Sequence, residues 1–294
     1  MELKRYLAQQ QQHIEATLEE LLPKGEGPNA NLLEAMRYSL FAGGKRLRPI
    51  LVLAACEAVG GDIQSAMRPA CALEMIHTYS LIHDDLPAMD DDNFRRGVPT
   101  NHKVFGEASA ILAGDALLTE AFVLLAQPSP GLSATTQIKL IDIAARASGR
   151  DGMVGGQMVD MAAEGQDNTI DTVNYIHKHK TGALVLASLQ IGAIIGGADE
   201  KQLQHITTFG TNAGLAFQIA DDLLDIEATN DQLGKDVGSD QQRGKATYPA
   251  IVGVEKARQH ATELHQAALD ALVTFSAAAD PLRQISAYII NRNK

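Results

Sequence analysis

Helical spacing of apolar positions recurs along almost the whole chain. Leu33, Met36, Arg37 and Leu40 fall at i, i+3, i+4 and i+7, and Gly43-Gly44 closes that helix. Pro49 then suits the first turn of a second helix through PILVLAACEAV. The same period predicts helical segments near 66–86, 106–126, 134–163, 170–197, 200–228, 246–275 and 280–291, after an amphipathic start, MELKRYLAQQQQHIEATLEELL. No segment alternates apolar and polar residues over strand length. The connections are short and marked by Gly or Pro: PKGEGPN, AGGKRLRP, VGGD, QPSPG and GGAD. There is no internal repeat, and QQQQ at 9–12 is the one low-complexity tract. The expectation is an all-α protein, a single domain over 1–294 built as a bundle of about ten or more helices.

Segments 106–126 and 182–197 are apolar around most of their circumference, which predicts central helices. With 45% hydrophobic residues, 4% aromatics and no Trp, the core must come from Leu, Ile, Val, Met and Ala. The run 182–198 carries Ser188, Gln190 and four glycines, so it reads as a core helix and not a membrane span. Cys56 and Cys71 lie in apolar helical runs and read as buried thiols of a reducing compartment. The N-terminal segment is polar and lacks the apolar stretch of a signal peptide, so a cytoplasmic location is expected. A net charge of -11 argues against nucleic acid as a partner and makes any anionic substrate dependent on cations.

That charge is concentrated. HDDLPAMDDDNFRRG places five aspartates in nine positions, followed at once by Arg95 and Arg96. Two unit charges about 4 Å apart repel by about 4 kcal/mol at an effective dielectric near 20. A solvated acidic loop is one reading. A second acidic stripe favours another: in GLAFQIADDLLD, Gln218, Asp221, Asp222 and Asp225 fall at i, i+3, i+4 and i+7. His77, Leu81 and Asp84 likewise share a stripe, and Asp84 and Asp85 end that helix where its dipole disfavours anions. A solvent face would also explain three aspartates on one helix. Together, the two acidic clusters suggest divalent cations, and their hard oxygen donors point to Mg²⁺.

Mg²⁺ usually bridges one or two carboxylates to substrate phosphates. Candidate anion binders accompany the carboxylates: Lys45 and Arg48 in GGKRLRP, Arg95 and Arg96, and Lys180, Lys235 and Lys245 in HKHKTG, LGKDVG and RGKATYP. Each alone reads as a surface charge. As a set they describe sites for two phosphorylated small molecules, one held through metal and one through Lys and Arg directly.

At this point the chain resembles a known family, the bacterial-type short-chain trans-prenyltransferases, or polyprenyl synthases, and among them the farnesyl diphosphate synthases. GGKRLRP, DDLPAMDDD with two residues more than DDxxD, RRG, GDALL, GGQMVD, HKTGAL, FQIADDLLD, GKDVGSD and the closing YII-x-RNK stand in family order almost end to end. The resemblance implies an isoprenoid-synthase bundle around a deep central cavity, usually a homodimer. It implies that Asp84, Asp90 and Asp221 ligate three Mg²⁺ ions, with Mn²⁺ a substitute, that grip an allylic diphosphate. Asp85, Asp91, Asp222 and Asp225 would support them through water or as occasional ligands. Arg95, Lys180 and Lys235 would contact the same diphosphate with Lys245 near, and Thr181 and Gln218 would face the reacting carbons. Isopentenyl diphosphate would sit on Lys45, Arg48, His77 and Arg96.

The reaction implied is head-to-tail condensation with dimethylallyl and then geranyl diphosphate, giving (2E,6E)-farnesyl diphosphate and pyrophosphate. Tyr79, five residues before Asp84 and so about 7.5 Å along the helix, would floor the tail pocket, with small Ser80 beside it. A geranylgeranyl product is the alternative. Among other classes, His83-Asp84 spells the pair of HD-type metal phosphohydrolases but leaves DDLLD and GGKRLRP unexplained. Glu74-x-x-His77 is half a di-iron signature without its second copy, and Arg95 stands where an EF-hand loop needs Gly. A terpene cyclase would be expected to carry a different second metal motif. A regulatory subunit on the same scaffold would not need both acidic motifs.

Overall fold

Helices occupy nearly all of the computed structural model, which describes residues 2–128, 131–227 and 247–291. In order they are α1 (Leu3–Leu21), α2 (Ala30–Leu40), α3 (Leu47–Ala58), α4 (Ile63–Asp84), α5 (Asn101–Phe105), α6 (Glu107–Ala126), α7 (Ala134–Ser148), α8 (Met153–Ala163), α9 (Ile170–Ile176), α10 (Ala183–Ile195), α11 (Glu200–Glu227), α12 (Tyr248–Val252), α13 (Val254–Ala271) and α14 (Asp280–Asn291). The all-α expectation holds, with one short exception. Phe94–Arg95 (β1) pairs antiparallel with Val98–Pro99 (β2). The hairpin turns on Arg96 and Gly97, both at positive φ, 55° and 80°, as a primed two-residue turn requires. Strands of two residues are too short to show alternation.

Three expected segments differ from a single α-helix. The 134–163 segment divides at Gly152, whose φ of -135° and ψ of -131° leave the helical region between α7 and α8. The 246–275 segment divides at Gly253, where a φ of 87° suits only glycine and ends α12 after five residues. The 170–197 segment is continuous in direction but changes its winding: His177–Gly182 forms one π-helical turn between α9 and α10. Such turns are uncommon and are found disproportionately at functional sites.

By contact the chain divides into two units, one of residues 1–53 and 62–141 and one of 54–61 and 142–294. In the first unit α4 and α6 pack side by side, and α2 and α5 also lie on α6. Ile14, Leu18, Leu40, Leu73, Ile76 and Leu117 are among its fully buried core residues. Each contributes about 1.5–3 kcal/mol by leaving water. The expectation of a central α6 is only partly met, because Ile111, Leu112 and Val123 are 43%, 58% and 45% exposed. α6 is also the one helix among the described residues long and apolar enough to cross a membrane by length and composition.

In the second unit α11 packs on α13 and α10, and Val173, Ile219, Leu223, Tyr248, Ala257 and Ala261 form a core cluster. α10 is buried along most of its length, as its composition predicts, with Leu184, Leu189 and Ile191 fully inaccessible. Cys56 and Cys71 are buried, free thiols. Burial pushes the Cys71 thiol up to about 12.

Candidate active site

In the first unit the site begins at GGKRLRP. Arg46 takes a left-handed φ of 50° and is only 2% exposed. Its guanidinium donates to Glu74 Oε1 at 2.9 Å and to the Leu40 carbonyl at 2.7 Å. That pair is internal and anchors the loop to α4, and it leaves its neighbours for other work: Lys45 is exposed and Arg48 is half-buried. Burial, opposed by the Glu74 charge and reinforced by that of Arg96, pulls Arg48 down to about 10. Its Nε has no hydrogen-bond partner.

Arg96, also in a left-handed conformation, donates to the Gly43 carbonyl. A Cβ on Gly44 would lie 2.5 Å from the Arg96 guanidinium carbon, so glycine at 44 is needed for this approach. His77 on α4 completes the group. Burial, then the charges of Arg48, Arg96, Arg95 and Arg46, hold it well below its usual range, so it is neutral at pH 7. Three of the four residues expected to bind isopentenyl diphosphate, Arg48, His77 and Arg96, thus act on one another electrostatically. The excess of positive charge around a neutral imidazole makes the local field favourable to an anion.

The crowded aspartates divide their work. Asp85, the residue that caps α4, is 3% exposed and accepts from Arg95 Nε at 2.6 Å and Nη2 at 2.5 Å. Arg95 also donates to Asp92 at 3.2 Å. Burial still pushes Asp85 up to about 6 against the pull of Arg95. Asp91 lies 3.7 Å from Lys103. Asp84 and Asp90 are half-buried and are tied together through the backbone, where the Asp90 N–H donates to the Asp84 carbonyl at 2.9 Å. Repulsion within the run is therefore relieved in part by Arg95, which pairs with Asp85 and Asp92 and also feels the Asp84 charge, and by Lys103 beside Asp91.

The hairpin that carries Arg95 and Arg96 is clamped by residues no motif singled out. Tyr38 donates through its hydroxyl to the Pro99 carbonyl at 2.8 Å, and Thr100 to the Asp92 carbonyl at 2.7 Å. Asn101 donates to the Ala35 carbonyl and to Ser39 Oγ, each at 2.8 Å. Tyr38, Thr78, Asp85, Arg95, Arg96 and Asn101 line a cleft of about 320 Å³ including its open mouth. Lower on α4, Tyr79 is 6% exposed and meets the His83 ring edge-on at 5.7 Å. Ser80 is half-buried and donates to the His77 carbonyl at 2.8 Å.

In the second unit the polar stripe of α11 proves not to be one uniform face. Asp221 is exposed, whereas Gln218, Asp222 and Asp225 are half-buried. Asp222 Oδ2 accepts the Tyr248 N–H at 2.7 Å and lies 3.3 Å from His177 Nε2. Lys180 and Thr181 sit in the π-helical turn, and Lys180 Nζ donates to Asp160 of GGQMVD at 2.6 Å. A Cβ on Gly156 would lie 2.7 Å from Lys180 Cα, so glycine in that motif lets α8 approach the turn. Asp160 and His177 stand in motifs already visible in the sequence, but nothing there assigns them a partner. Lys235 and Lys245 lie outside the described residues.

The donors suit Mg²⁺, being carboxylate oxygens without thiolates. Among the described residues no group of three or more His, Cys, Asp or Glu side chains is placed to hold a metal ion by itself.

Residues 29–279 match the model of the polyprenyl synthetase family. The chain is 50% identical over 260 residues to a farnesyl diphosphate synthase of Geobacillus stearothermophilus, covering 88% of this chain and 87% of that protein. It is 48% identical over 289 residues to a geranylgeranyl diphosphate synthase of Cyanophora paradoxa, covering 98% and 96%. A solved FPP/GFPP synthase from Zymomonas mobilis superposes with a TM-score of 0.89 at 42% identity, covering 98% of each chain.

Proposed function

The chain belongs to the polyprenyl synthetase family and is a short-chain prenyl diphosphate synthase, and on that premise we propose that it makes (2E,6E)-farnesyl diphosphate. Isopentenyl diphosphate condenses with dimethylallyl and then with geranyl diphosphate, and pyrophosphate leaves at each round. The observation that carries the reading is the neutral His77 set among Arg48, Arg95 and Arg96, on the same helix that ends in Asp84.

In this reading Asp84, Asp90 and Asp221 hold Mg²⁺, with Asp85 in support through water. Bound Mg²⁺, three ions when diphosphate is present, supplies Lewis-acid neutralisation of the leaving group. The protein's own cations share that task. Arg95, Lys180 and Lys235, with Lys245 near, aim positive charge at the oxygen where negative charge develops as the allylic C–O bond breaks. Thr181 and Gln218 turn their dipoles toward the allylic carbons. Lys45, Arg48 and Arg96 grip the diphosphate of isopentenyl diphosphate, and neutral His77 can donate a hydrogen bond to it without the cost of charging a buried ring. The isopentenyl double bond attacks the allylic cation, and the proton then lost passes to departing pyrophosphate.

Product length follows from Tyr79, which is buried on α4 five residues before Asp84 and blocks the tail at fifteen carbons. The similar proteins carry both farnesyl and geranylgeranyl names, so this rests on Tyr79 alone. A homodimer would cover the apolar residues that α6 and α7 expose, Ile111, Leu112, Val123 and Ile138. The protein would work in the cytoplasm on soluble diphosphates. The test is incubation with isopentenyl and dimethylallyl diphosphates plus Mg²⁺ and analysis of product length. Mainly C15 product is expected. Mainly C20 product overturns the role of Tyr79, and phosphate release without a coupled product overturns prenyl transfer.

A further inference from the structure

Asp222 follows Asp221 directly in the second acidic stripe, yet the two side chains meet different surroundings. Asp221 is exposed, while the Asp222 side chain is only 14% exposed and its Oδ2 faces protein on two sides. On one side it accepts the Tyr248 N–H at 2.7 Å, at the first residue of α12. On the other it lies 3.3 Å from Nε2 of His177, the buried residue that begins the π-helical turn carrying Lys180 and Thr181. The His177 ring stacks on the Tyr248 ring at 6.4 Å, and the Tyr248 hydroxyl pairs with His260 Nδ1 on α13 at 2.6 Å. One carboxylate thus joins α11 to the π-helical turn and to α12.

We propose that Asp222 is a positioning residue, a latch that fixes the rotation of α11 and the start of the π-helical turn, and not a ligand of the metal. Neighbouring residues on an α-helix point about 100° apart. Pinning Asp222 between Tyr248 and His177 therefore sets where Asp221 points. The same contact holds the first residue of the turn whose winding aims Lys180 and Thr181. A side chain that supports a site through another residue can cost as much as a member of the site when it is removed.

The inference deepens the prenyl-transfer reading and rests on it only for its kinetic arm. Asp222→Ala, Asp222→Asn and Asp221→Ala are compared with the unaltered protein by hydrogen exchange at the Tyr248 amide and by the Mg²⁺ dependence of product formation. In Asp222→Ala the Tyr248 amide should exchange faster by about tenfold, because its acceptor is gone. Asp222→Asn keeps a carbonyl oxygen as acceptor and should restore most of that protection. Both variants should lose kcat, on the order of tenfold for Ala, while the Mg²⁺ concentration for half-maximal rate moves by less than about twofold.

A folded Asp222→Ala with unchanged Tyr248 exchange overturns the proposal. So does a half-saturating Mg²⁺ concentration that rises in Asp222→Asn as far as in Asp221→Ala; Asp222→Asn retains the acceptor and keeps the test decisive should the Ala variant not fold. The exchange arm needs no turnover. Its failure is therefore distinct from a failure of prenyl transfer.

Discussion

Asp84-Asp85 at the end of α4 and Asp221-Asp222 within α11 are the same dipeptide in two settings, and the protein supports them differently. In the first pair the inward member, Asp85, is held by the Arg95 guanidinium, a charged partner that the proposed reaction also needs. In the second pair the inward member, Asp222, is held by a backbone N–H and lies beside an imidazole. The difference follows from position. Asp85 caps a helix C-terminus, where the dipole adds to the cost of a buried anion and a full positive charge is the effective answer. Asp222 lies inside a helix away from either end, where a single N–H donor suffices. In each pair the neighbour, Asp84 or Asp221, is the more exposed of the two and is the one the proposed reaction assigns to magnesium.

The comparison breaks most visibly if the more exposed members, Asp84 and Asp221, do not carry the reaction. Asp84→Ala and Asp221→Ala should each lower turnover on the order of a thousandfold, measured as labelled isopentenyl diphosphate incorporated into product. Activity retained in both would mean that the doublets are not the metal site.

Arg95→Ala should also cost stability, unlike the exposed members. It strands Asp85 as a buried, unpaired carboxylate, and the loss should be about 3 kcal/mol in urea unfolding at pH 7. Asp85→Asn in the same background should recover part of it, since the asparagine carries no charge. An unchanged midpoint for Arg95→Ala would remove the guanidinium from the support of the first doublet.

Tyr79→Ala sharpens the first unit further. With its ring gone from the α4 face, the main product should move from C15 toward C20, read by chain-length analysis, with the total rate changed by less than about tenfold. An unchanged C15 product would place the floor of the pocket elsewhere.

The smallest effect is one of pH. His77 is held below 6.5 by burial and by Arg46, Arg48, Arg95 and Arg96, so the unfolded chain binds its proton before the folded one does. Stability is therefore unaffected by this group above about pH 6.5 and falls as pH drops below it toward the folded value. His77→Gln should flatten that part of the urea-midpoint profile. A profile identical in the variant would show that His77 does not titrate differently in the folded state.

Much of this arrangement could be read from residue order, and the parts that could not share a cause. Apolar spacing located most helices, because a buried face must repeat every three or four residues. It did not locate the breaks at Gly152 and Gly253, where the apolar spacing runs on across a backbone that leaves the helix. The π-helical turn was equally hidden, since one extra residue per turn leaves no period of its own. In the site, the family resemblance marked Arg48, His77 and Arg96 as candidates for one ligand. It could not reveal that Arg46 turns inward to Glu74, 28 residues away, or that Asp222 turns away from Asp221. Those are choices of rotamer and partner made across the fold, and adjacent positions in a motif do not encode them.

The most direct measurement is calorimetric binding of pyrophosphate in the presence of Mg²⁺ to the unaltered protein and to Asp84→Ala and Asp221→Ala. The account predicts Mg²⁺-dependent binding that each substitution weakens by at least about tenfold, because the proposed reaction needs both Asp84 and Asp221 to hold metal-bound diphosphate. Binding of undiminished strength in either variant, or binding indifferent to Mg²⁺, would contradict it.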